Sequence, residues 1–221
     1  MATNPERSAA CGPGAGLSDR LARGAAELGV AVDAAAQERL LGLVELLARW
    51  SRAYNLTAVR DPFEMIPRHL LDSLAVQPFL FGDSILDLGT GAGFPGLPLA
   101  ILEPQRRFWL LDSSRKKLRF VRQAVLELAL ENVELVHARI QTYRPGRNFS
   151  TIVSRAVAVA DLLGAGTPDL LTRPGRMLLM RGREPDVLTL TQGPFDLSVR
   201  LHRLRIPSRD VERHLIELRN D

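Results

Sequence analysis

Apolar residues in the second half of the chain form short runs that alternate with longer segments of helical spacing. The short runs predict seven β-strands, at residues 84–88, 107–111, 133–137, 150–154, 175–180, 196–203 and 213–219. The longer segments predict helices at about 95–102, 115–130, 159–172 and 184–191. Strands that alternate with helices favour a mostly parallel sheet covered by helices on both faces.

The last two predicted strands are joined only by residues 206–210, which show no helical spacing. A link this short allows only an antiparallel connection, because a parallel crossover needs a dozen or more residues. We therefore expect an α/β fold with a seven-stranded, mostly parallel, Rossmann-like sheet whose last strand is reversed.

The region before the sheet is helical in pattern. Residues 17–52 and about 64–78 carry apolar residues at helical spacing, and they predict a helical N-terminal extension. Residues 1–16 are rich in Ala, Gly, Pro and Ser, and they predict a disordered tail. We expect a single domain over residues 17–221, in which N-terminal helices at 17–80 precede a Rossmann-like core at 84–221.

The strongest chemical signal is a glycine-rich stretch, Leu-Asp-Leu-Gly-Thr-Gly-Ala-Gly-Phe-Pro-Gly at residues 86–96. Glycine has no Cβ, so such a loop lets the backbone approach a ligand closely. Asp112 follows the next strand about 20 residues later, where a carboxylate can hold the hydroxyls of a ribose. The two features together predict a nucleoside pocket at the carboxyl ends of two neighbouring parallel strands.

Two cofactors fit this loop. Gly91, Gly93 and Gly96 match the G-x-G-x-x-G pattern of dinucleotide-binding proteins. Asp87 with Gly89, Gly91 and Gly93 matches the D-x-G-x-G-x-G pattern of S-adenosylmethionine (SAM) methyltransferases. Prolines at 95 and 98 remove backbone donors that a pyrophosphate needs, which favours SAM, as does the reversed last strand. A dinucleotide-dependent oxidoreductase and a non-enzymatic RNA-binding module are the alternatives.

Composition narrows the class of protein. A hydrophobic content of 46% and a charged content of 24% are ordinary for a globular domain. No apolar run approaches the ~20 residues that span a bilayer, and no spacing of His, Asp or Glu resembles a metal site. The single cysteine, Cys11, excludes an internal disulfide framework and suits the cytoplasm. We expect a cytoplasmic monomer without a metal or a membrane contact.

Basic residues are almost all arginine, and the formal net charge is +4. On the helix predicted from Arg115, an apolar stripe that contains Leu118 and Val121 lies beside a basic stripe of Arg115, Arg119 and Arg122. The apolar stripe must cover the sheet. The basic stripe is either a solvated face or, given its position after Asp112, a surface for RNA.

Several stretches together resemble the RsmG/GidB family of bacterial 16S rRNA (guanine-N7) methyltransferases. They include Asn-Leu-Thr-Ala-Val-Arg-Asp-Pro at 55–62, Arg-His-Leu-Leu-Asp-Ser at 68–73, the glycine loop with Pro95 and Gly96, Leu-Asp-Ser at 111–113, Ser-Arg-Ala at 154–156 and Glu-Arg-His-Leu at 212–215. The resemblance covers nearly everything from about residue 40 to the end. It implies a SAM-dependent enzyme that methylates N7 of one guanine in the 530 loop of 16S rRNA of the small ribosomal subunit.

The resemblance also implies the cofactor contacts. It places SAM against Gly89, Phe94, Ile140, Gln141 and Arg155, with Asp112 on the ribose. Two positions depart from the family pattern. Gln141-Thr142 stands where relatives often carry acidic residues, and Arg181 stands where they often carry lysine.

The chemistry of guanine N7 suggests roles for the arginines. This atom has a lone pair and no proton to lose, so positioning rather than a general base is the expected work of the site. We expect Arg155 and Arg181 in the catalytic site, and Arg139, Arg181 and Arg213 on the RNA side. The alternative for each is a surface salt bridge.

Two ring residues near the pocket have two interpretations each. His69 is expected on the RNA side, and with Asp72 three residues later it forms either a base–orienter dyad or a structural contact, of which the second is favoured. Phe94 packs either on the cofactor or a flipped base, or into the core.

Overall fold

A computed structural model describes residues 13–155, 157–182, 197–209 and 212–220. Two helices, α1 (Pro13–Glu27) and α2 (Ala34–Tyr54), replace the continuous helix that the sequence predicts over 17–52. The break follows from Gly29, which has a φ of +70°, and from Asp33, whose side chain accepts a hydrogen bond from the Ala36 backbone N–H at 2.7 Å. Because α1 begins at Pro13, the predicted tail boundary at residue 16 is wrong. Residues 1–12 lie outside the described residues.

The second predicted N-terminal helix is a chain of short helical turns. Its pieces are α3 (Pro62–Met65), a π-helix (Ile66–Leu71), α4 (Asp72–Leu74) and a 3₁₀ helix (Gln77–Phe79). The expected apolar residues Leu70, Leu71 and Leu74 are all buried. The π-helix has a wider turn than an α-helix, a feature common at functional sites.

The predicted sheet is confirmed, with seven strands in the order β3-β2-β1-β4-β5-β7-β6. Strands β1 to β5 are parallel, and β7 is antiparallel to both of its neighbours. The strands are β1 (Ser84–Leu88), β2 (Arg107–Asp112), β3 (Val133–His137), β4 (Phe149–Arg155), β5 (Leu171–Arg181), β6 (Ser198–Leu204) and β7 (Arg213–Asn220). The reversed last strand therefore lies between β5 and β6 rather than at the edge.

Three helices connect the parallel strands: α5 (Gly96–Leu102), α6 (Arg115–Glu127) and α7 (Val159–Gly164). The prediction of one helix over 159–172 is wrong. Gly166 has a φ of +71°, which ends the helical segment, and a 3₁₀ helix (Thr167–Leu170) leads directly into β5. The helix predicted at 184–191 lies outside the described residues.

Alternation along the strands divides the core between the two faces of the sheet. On β2, Phe108 and Leu110 pack with α2, α5 and α6, whereas Trp109 and Leu111 pack with α7 and the opposite face. This is the period of two that buries a strand on both sides. The N-terminal helices and the Rossmann-like core thus share one continuous apolar cluster.

A buried carboxylate anchors the antiparallel part of the sheet. Glu217 on β7 has a side chain that is 0% exposed, and it accepts hydrogen bonds from Arg176 at 3.1 Å, His202 at 2.9 Å and Arg219 at 2.7 Å. Burial alone raises a carboxyl pKa, but the hydrogen bonds from Arg219 and His202 outweigh it, so the pKa of Glu217 lies below its ordinary value.

Replacing this anchor tests its contribution to stability. We expect Glu217→Gln to lower the free energy of unfolding by about 3 kcal/mol, because the substitution removes the buried carboxylate that Arg176, His202 and Arg219 share. Because the pKa of Glu217 is lowered in the folded protein, its carboxylate stabilises the fold at pH values above the pKa of the unfolded chain. This stabilisation is lost as pH falls through the folded pKa, so the difference in unfolding free energy between wild type and variant shrinks in acid. Urea unfolding at neutral and acidic pH measures both effects. Equal stability of the two proteins at neutral pH contradicts the prediction.

Candidate active site

The strand order reverses beside β1, and this reversal fixes where the site lies. Strands β2 and β3 follow on one side of β1, and β4 and β5 follow on the other. Loops that leave the carboxyl ends of β1 and β4 therefore diverge and open a crevice, the place where open α/β sheets bind ligands. The glycine loop follows β1, Asp112 ends the neighbouring β2, and Arg155 ends β4.

Asp87 determines the shape of the glycine loop. Its Oδ2 accepts hydrogen bonds from the Thr90 hydroxyl at 2.7 Å and from the Gly96 backbone N–H at 2.8 Å. These two contacts tie the beginning and the end of the loop to β1. Burial raises the pKa of Asp87 to about 6, although the hydrogen bonds from Thr90 and Gly96 oppose the rise. Asp87 therefore fixes the conformation of the loop through these two hydrogen bonds. It does not line either of the two cavities described below.

The loop glycines are needed for backbone conformation and for space. Gly89, Gly91 and Gly93 have φ values of +70°, +62° and +85°, which side chains rarely adopt. A Cβ on Gly89 would lie 2.6 Å from Cγ2 of Val157. The loop therefore carries no side chain where it meets the segment after β4.

Asp112 links the loop to the end of β2. Its Oδ2 accepts a hydrogen bond from the Gly91 N–H at 2.8 Å, and its Oδ1 accepts one from the Ser114 N–H at 2.8 Å. A carboxylate has about four acceptor positions, so further hydroxyl donors can bind the same oxygens. The ribose role that the sequence predicts for Asp112 stays a prediction, for which these acceptor positions leave room.

A first cavity of about 250 Å³ opens beside Asp112. It brings together four of the predicted cofactor residues, Gly89, Asp112, Ile140 and Gln141; its other lining residues are Leu111, Ser113, Ala138, Arg139 and Val157. We call it the nucleoside cavity. Arg139, which the sequence places on the RNA side, lies on this wall instead of beside Arg181 and Arg213. A carboxylate facing apolar walls and a glycine floor suits an adenosine.

A second cavity of about 580 Å³ is strongly basic. It contains the predicted residues His69, Arg155, Arg181 and Arg213, together with Val59, Arg68, Asp72, Val157, Ala158, Met180, Gly182, Leu204, Arg209 and His214. We call it the arginine cavity. Val157 lines both cavities, so the two are adjacent at the end of β4.

A buried aspartate organises the arginine cavity. Asp72 accepts from Arg213 Nε at 2.9 Å and from Arg155 Nη1 at 3.4 Å, and Arg209 Nη1 lies 3.8 Å away. The carboxylate is almost fully buried, whereas Arg155 and Arg213 retain about a quarter of their side-chain exposure. Asp72 therefore fixes the guanidinium groups while leaving them partly open to a ligand.

Arg181 is held in a different way. Its guanidinium donates to the carbonyl oxygens of Val157 at 2.6 Å and Met180 at 2.9 Å. Burial lowers its pKa below the ordinary arginine value. Among the described residues no carboxylate pairs with it, and its side chain lines the arginine cavity.

His69 and Phe94 form the wall between the loop and the arginines. The His69 ring lies 5.0 Å from the Phe94 ring, and the Arg155 guanidinium lies 5.4 Å from the same ring. Phe94 is buried, which confirms the core-packing interpretation. His69 Nε2 bonds to the Thr57 hydroxyl at 2.9 Å, and Asp72 accepts hydrogen bonds from Arg155 and Arg213. His69 therefore makes a structural hydrogen bond with Thr57, and among the described residues none joins its ring to Asp72.

The His69 environment disfavours a charged ring. Burial first, and Arg155 second, lower the pKa of His69 to about 4. The ring is therefore neutral at physiological pH. Because its folded pKa is depressed, this group stabilises the fold above the ordinary pKa of 6.5, and that contribution is lost as pH falls towards 4.

The sequence does not predict the part of two residues in the arginine cavity. It points to Asp72 only as a neighbour of His69, and it places Arg209 only in the short link at 206–210. Asp72 and Arg213 are 141 residues apart in the chain, and no local pattern reveals such a pairing. The sequence gives one weak sign of the pairing: charged residues stand in both the Arg-His-Leu-Leu-Asp stretch and the Glu-Arg-His stretch.

Comparison with known proteins identifies the family. Residues 36–216 match the GidB family, described as rRNA small subunit methyltransferase G. The chain belongs to this family. Ribosomal RNA small subunit methyltransferase G from Methylococcus capsulatus is 47% identical over 199 residues, covering 90% of this chain and 97% of the relative. The protein of the same name from Pseudomonas aeruginosa is 49% identical over 204 residues, covering 91% and 95%.

Solved structures confirm the fold of this family member. A SAM-dependent methyltransferase from Aquifex aeolicus superposes with a TM-score of 0.55 at 16% identity, covering 72% of this chain and 93% of that one. Within the described part of the chain, no helix is long and apolar enough to cross a membrane. The same part contains no group of three or more His, Cys, Asp or Glu residues that is arranged to hold a metal ion.

A pair of glycines tests the nucleoside cavity. Gly89 and Gly29 share a φ of +70°, but a Cβ at Gly29 meets nothing within 4 Å. Gly89→Ala therefore adds a collision with Val157 to the same backbone strain. We expect Gly89→Ala to weaken SAM binding by roughly tenfold or more, and Gly29→Ala to leave it unchanged, in isothermal titration calorimetry. Equal affinities for the two variants contradict this placement.

Proposed function

We propose that this protein transfers a methyl group from SAM to N7 of a guanine in the 530 loop of 16S rRNA, with SAM in the nucleoside cavity and the guanine in the arginine cavity. Membership of the family makes the protein a SAM-dependent rRNA methyltransferase. This excludes the dinucleotide-dependent oxidoreductase and the non-enzymatic RNA-binding module. The observation that carries the proposal is the shared wall at Val157 between a nucleoside-sized cavity and a basic one.

The residues of the nucleoside cavity fit SAM. Asp112 has acceptor positions for the ribose hydroxyls, and Gly89 leaves the space that a Cβ would fill. Ile140 offers an apolar surface to the adenine, and Gln141 offers an amide to its edge. SAM supplies an electrophilic methyl group on a positively charged sulfur. Of the other predicted contacts, Asp87, Gly91 and Gly93 shape the loop, and Phe94 supports it from the core.

The residues of the arginine cavity fit an RNA base and its phosphates. Guanine presents O6 and N7 as acceptors, and arginine recognises such edges and phosphates through its planar fork. Arg155 lies beside the glycine loop, with its guanidinium 5.4 Å from the Phe94 ring, and we assign it to orienting the guanine. The rest of the arginine cavity wall, which we assign to RNA contacts, includes Arg181, Arg213 and His69. We assign Arg139, on the wall of the nucleoside cavity, to a further RNA contact.

The site needs no general base for this reaction. Guanine N7 has a lone pair in the ring plane and no proton to remove. The His69 ring, which packs against Phe94 of the loop, is neutral and hydrogen-bonded to Thr57. The protein's work is therefore positioning, which can contribute about 7–11 kcal/mol when two reactants are held in near-attack geometry.

We further propose a cytoplasmic monomer whose N-terminal helices and Rossmann-like core form one methyltransferase domain. Ribosomal RNA as the partner supports the cytoplasm. The Asp72 contacts to Arg155 and Arg213 join the two parts, which supports a single domain. Both cavities are lined by one chain, which supports a monomer.

Labelled-methyl transfer tests the proposed function. Ribosomal RNA from a bacterial strain that lacks its own enzyme of this family is incubated with the protein and methyl-labelled SAM, as naked RNA and as small subunits. We expect label in 16S rRNA, at N7 of a guanine in the 530 loop, in nucleoside mapping. Label at another atom or on another RNA contradicts the proposal.

Arg155 has a direct test. We expect Arg155→Ala to lower kcat/KM for rRNA by about 100-fold, a loss of roughly 2.7 kcal/mol of transition-state stabilisation. Arg155→Lys should recover only part of this, because a lysine keeps the charge but loses the fork. Arg23→Ala is the matched control, since Arg23 is an exposed arginine on α1 whose Nε bonds only to the Asp19 carbonyl of its own helix. Methylation by Arg155→Ala at the wild-type rate refutes the assignment.

The absence of a general base predicts a flat pH profile. We expect kcat to change less than about twofold between roughly pH 7 and 8.5, because neither His69 nor Asp87 titrates in that range. Single-turnover rates at saturating RNA give this profile, with RNA folding checked at each pH. A tenfold rise per pH unit indicates proton removal and contradicts the mechanism.

A further inference from the structure

We propose that a groove along the outer face of α6 binds phosphates of the substrate RNA at a distance from the arginine cavity. This inference rests on the proposed function and adds a second contact surface to it. The groove has a volume of about 480 Å³. Its lining residues, which we call the α6 groove, are Trp50, Arg115, Leu118, Arg119, Arg122, Gln123, Leu126, Leu135 and His137.

The groove carries positive charge with no counter-charge. Residues 115–122 read Arg-Lys-Lys-Leu-Arg-Phe-Val-Arg and contain no acidic residue. Among the described residues, none of Arg115, Arg119 and Arg122 has an ion-pair partner. The nearest acid on the helix, Glu127, is bound by Arg49 and Gln123. Glu134 alternates with Leu135 on β3 and so points to the other face of the sheet.

The arginines are arranged as a row. Positions 115, 119 and 122 are spaced four and three residues apart, so their side chains share one helix face. At about 1.5 Å per residue the row extends roughly 10 Å along α6. All three side chains are exposed. A row of exposed guanidinium groups with this reach suits a polyanion better than a single anion.

Rings and an apolar rim complete the groove. Trp50 lies on its wall and stacks on Tyr54 at 5.1 Å, and Lys116 lies 5.6 Å from the Tyr54 ring. Leu126 at the far end is 69% exposed, the most exposed of the large apolar side chains among the described residues. Aromatic surfaces interleaved with arginines are typical of surfaces that bind single-stranded nucleic acid.

The groove borders the nucleoside cavity. His137, on the groove wall, pairs in register with Asp112 and bonds to the Ser113 carbonyl at 3.0 Å. Asp112 and Ser113 line the nucleoside cavity. The groove therefore lies beside the site where the substrate RNA binds under the proposed function, and this proximity favours RNA over an acidic protein as the occupant.

Removal of two groove charges tests the inference. Arg119→Gln/Arg122→Gln is compared with Arg23→Gln/Arg107→Gln, which removes two exposed arginines from α1 and from the opposite end of β2. Binding of labelled, unmethylated 16S rRNA is measured over a series of salt concentrations. We expect the groove variant to bind roughly 10- to 30-fold more weakly at about 0.1 M salt, with a salt slope shallower by roughly 1.4 to 1.8. KM for RNA rises, and kcat and SAM affinity do not change.

Each other outcome has a definite meaning. Equal losses in the two double variants, or none in either, overturn the groove. Normal binding of the groove variant to naked rRNA, with a loss confined to assembled small subunits, identifies a protein as the occupant and also overturns it. Groove-dependent RNA binding without methyl transfer by the wild type supports the groove and contradicts the proposed function.

Discussion

A buried carboxylate at the end of β1 is the constraint on which the site depends. Asp87 accepts hydrogen bonds from both ends of the glycine loop, and the loop folds back over β1 as a result. A Cβ on Gly96 would lie 2.6 Å from the same carboxylate oxygen, so the strand, the loop and the start of α5 form one close-packed unit. The conformation of the loop then decides where Asp112 is held and how close the Val157 side chain lies to Gly89.

A second buried carboxylate joins the N-terminal helices to this unit. Asp72 belongs to the helical extension, whereas Arg155 and Arg213 belong to β4 and β7. A buried charge is tolerated because charge-assisted hydrogen bonds compensate for the loss of water. In the function that we propose, guanidinium groups that are fixed on one side and open on the other take the place of the aromatic platforms of other RNA-binding proteins.

Local patterns were sufficient for most of the fold. Short apolar runs such as residues 108–111 place the strands, and the short link at 206–210 requires the reversed hairpin. Local patterns failed where a single residue ends an element. Gly29 divides the N-terminal helix and Gly166 ends α7, and the apolar spacing continues past both. The position of β7 between β5 and β6 depends on long-range pairing, which no local window contains.

The candidate site divides in the same way. Gly89 and Asp112 are visible from spacing because they follow two consecutive strands, β1 and β2, whose carboxyl ends lie side by side in the sheet. The partnership of Asp72 with Arg213 arises only when the sheet is complete, and so does the separation of Arg139 from Arg181 into different cavities. Burial of Phe94 and the hydrogen bond of His69 to Thr57 depend equally on packing.

The most direct test of the account is a crystal structure of the protein with SAM bound. We expect the ribose hydroxyls to bind Asp112 and the adenine to lie beside Ile140 and Gln141. We expect the sulfur to lie at Val157, where the two cavities meet, with its methyl group facing Arg155. Adenosine bound in the arginine cavity, or a methyl group directed away from Arg155, would contradict the division of the site into a donor cavity and an acceptor cavity.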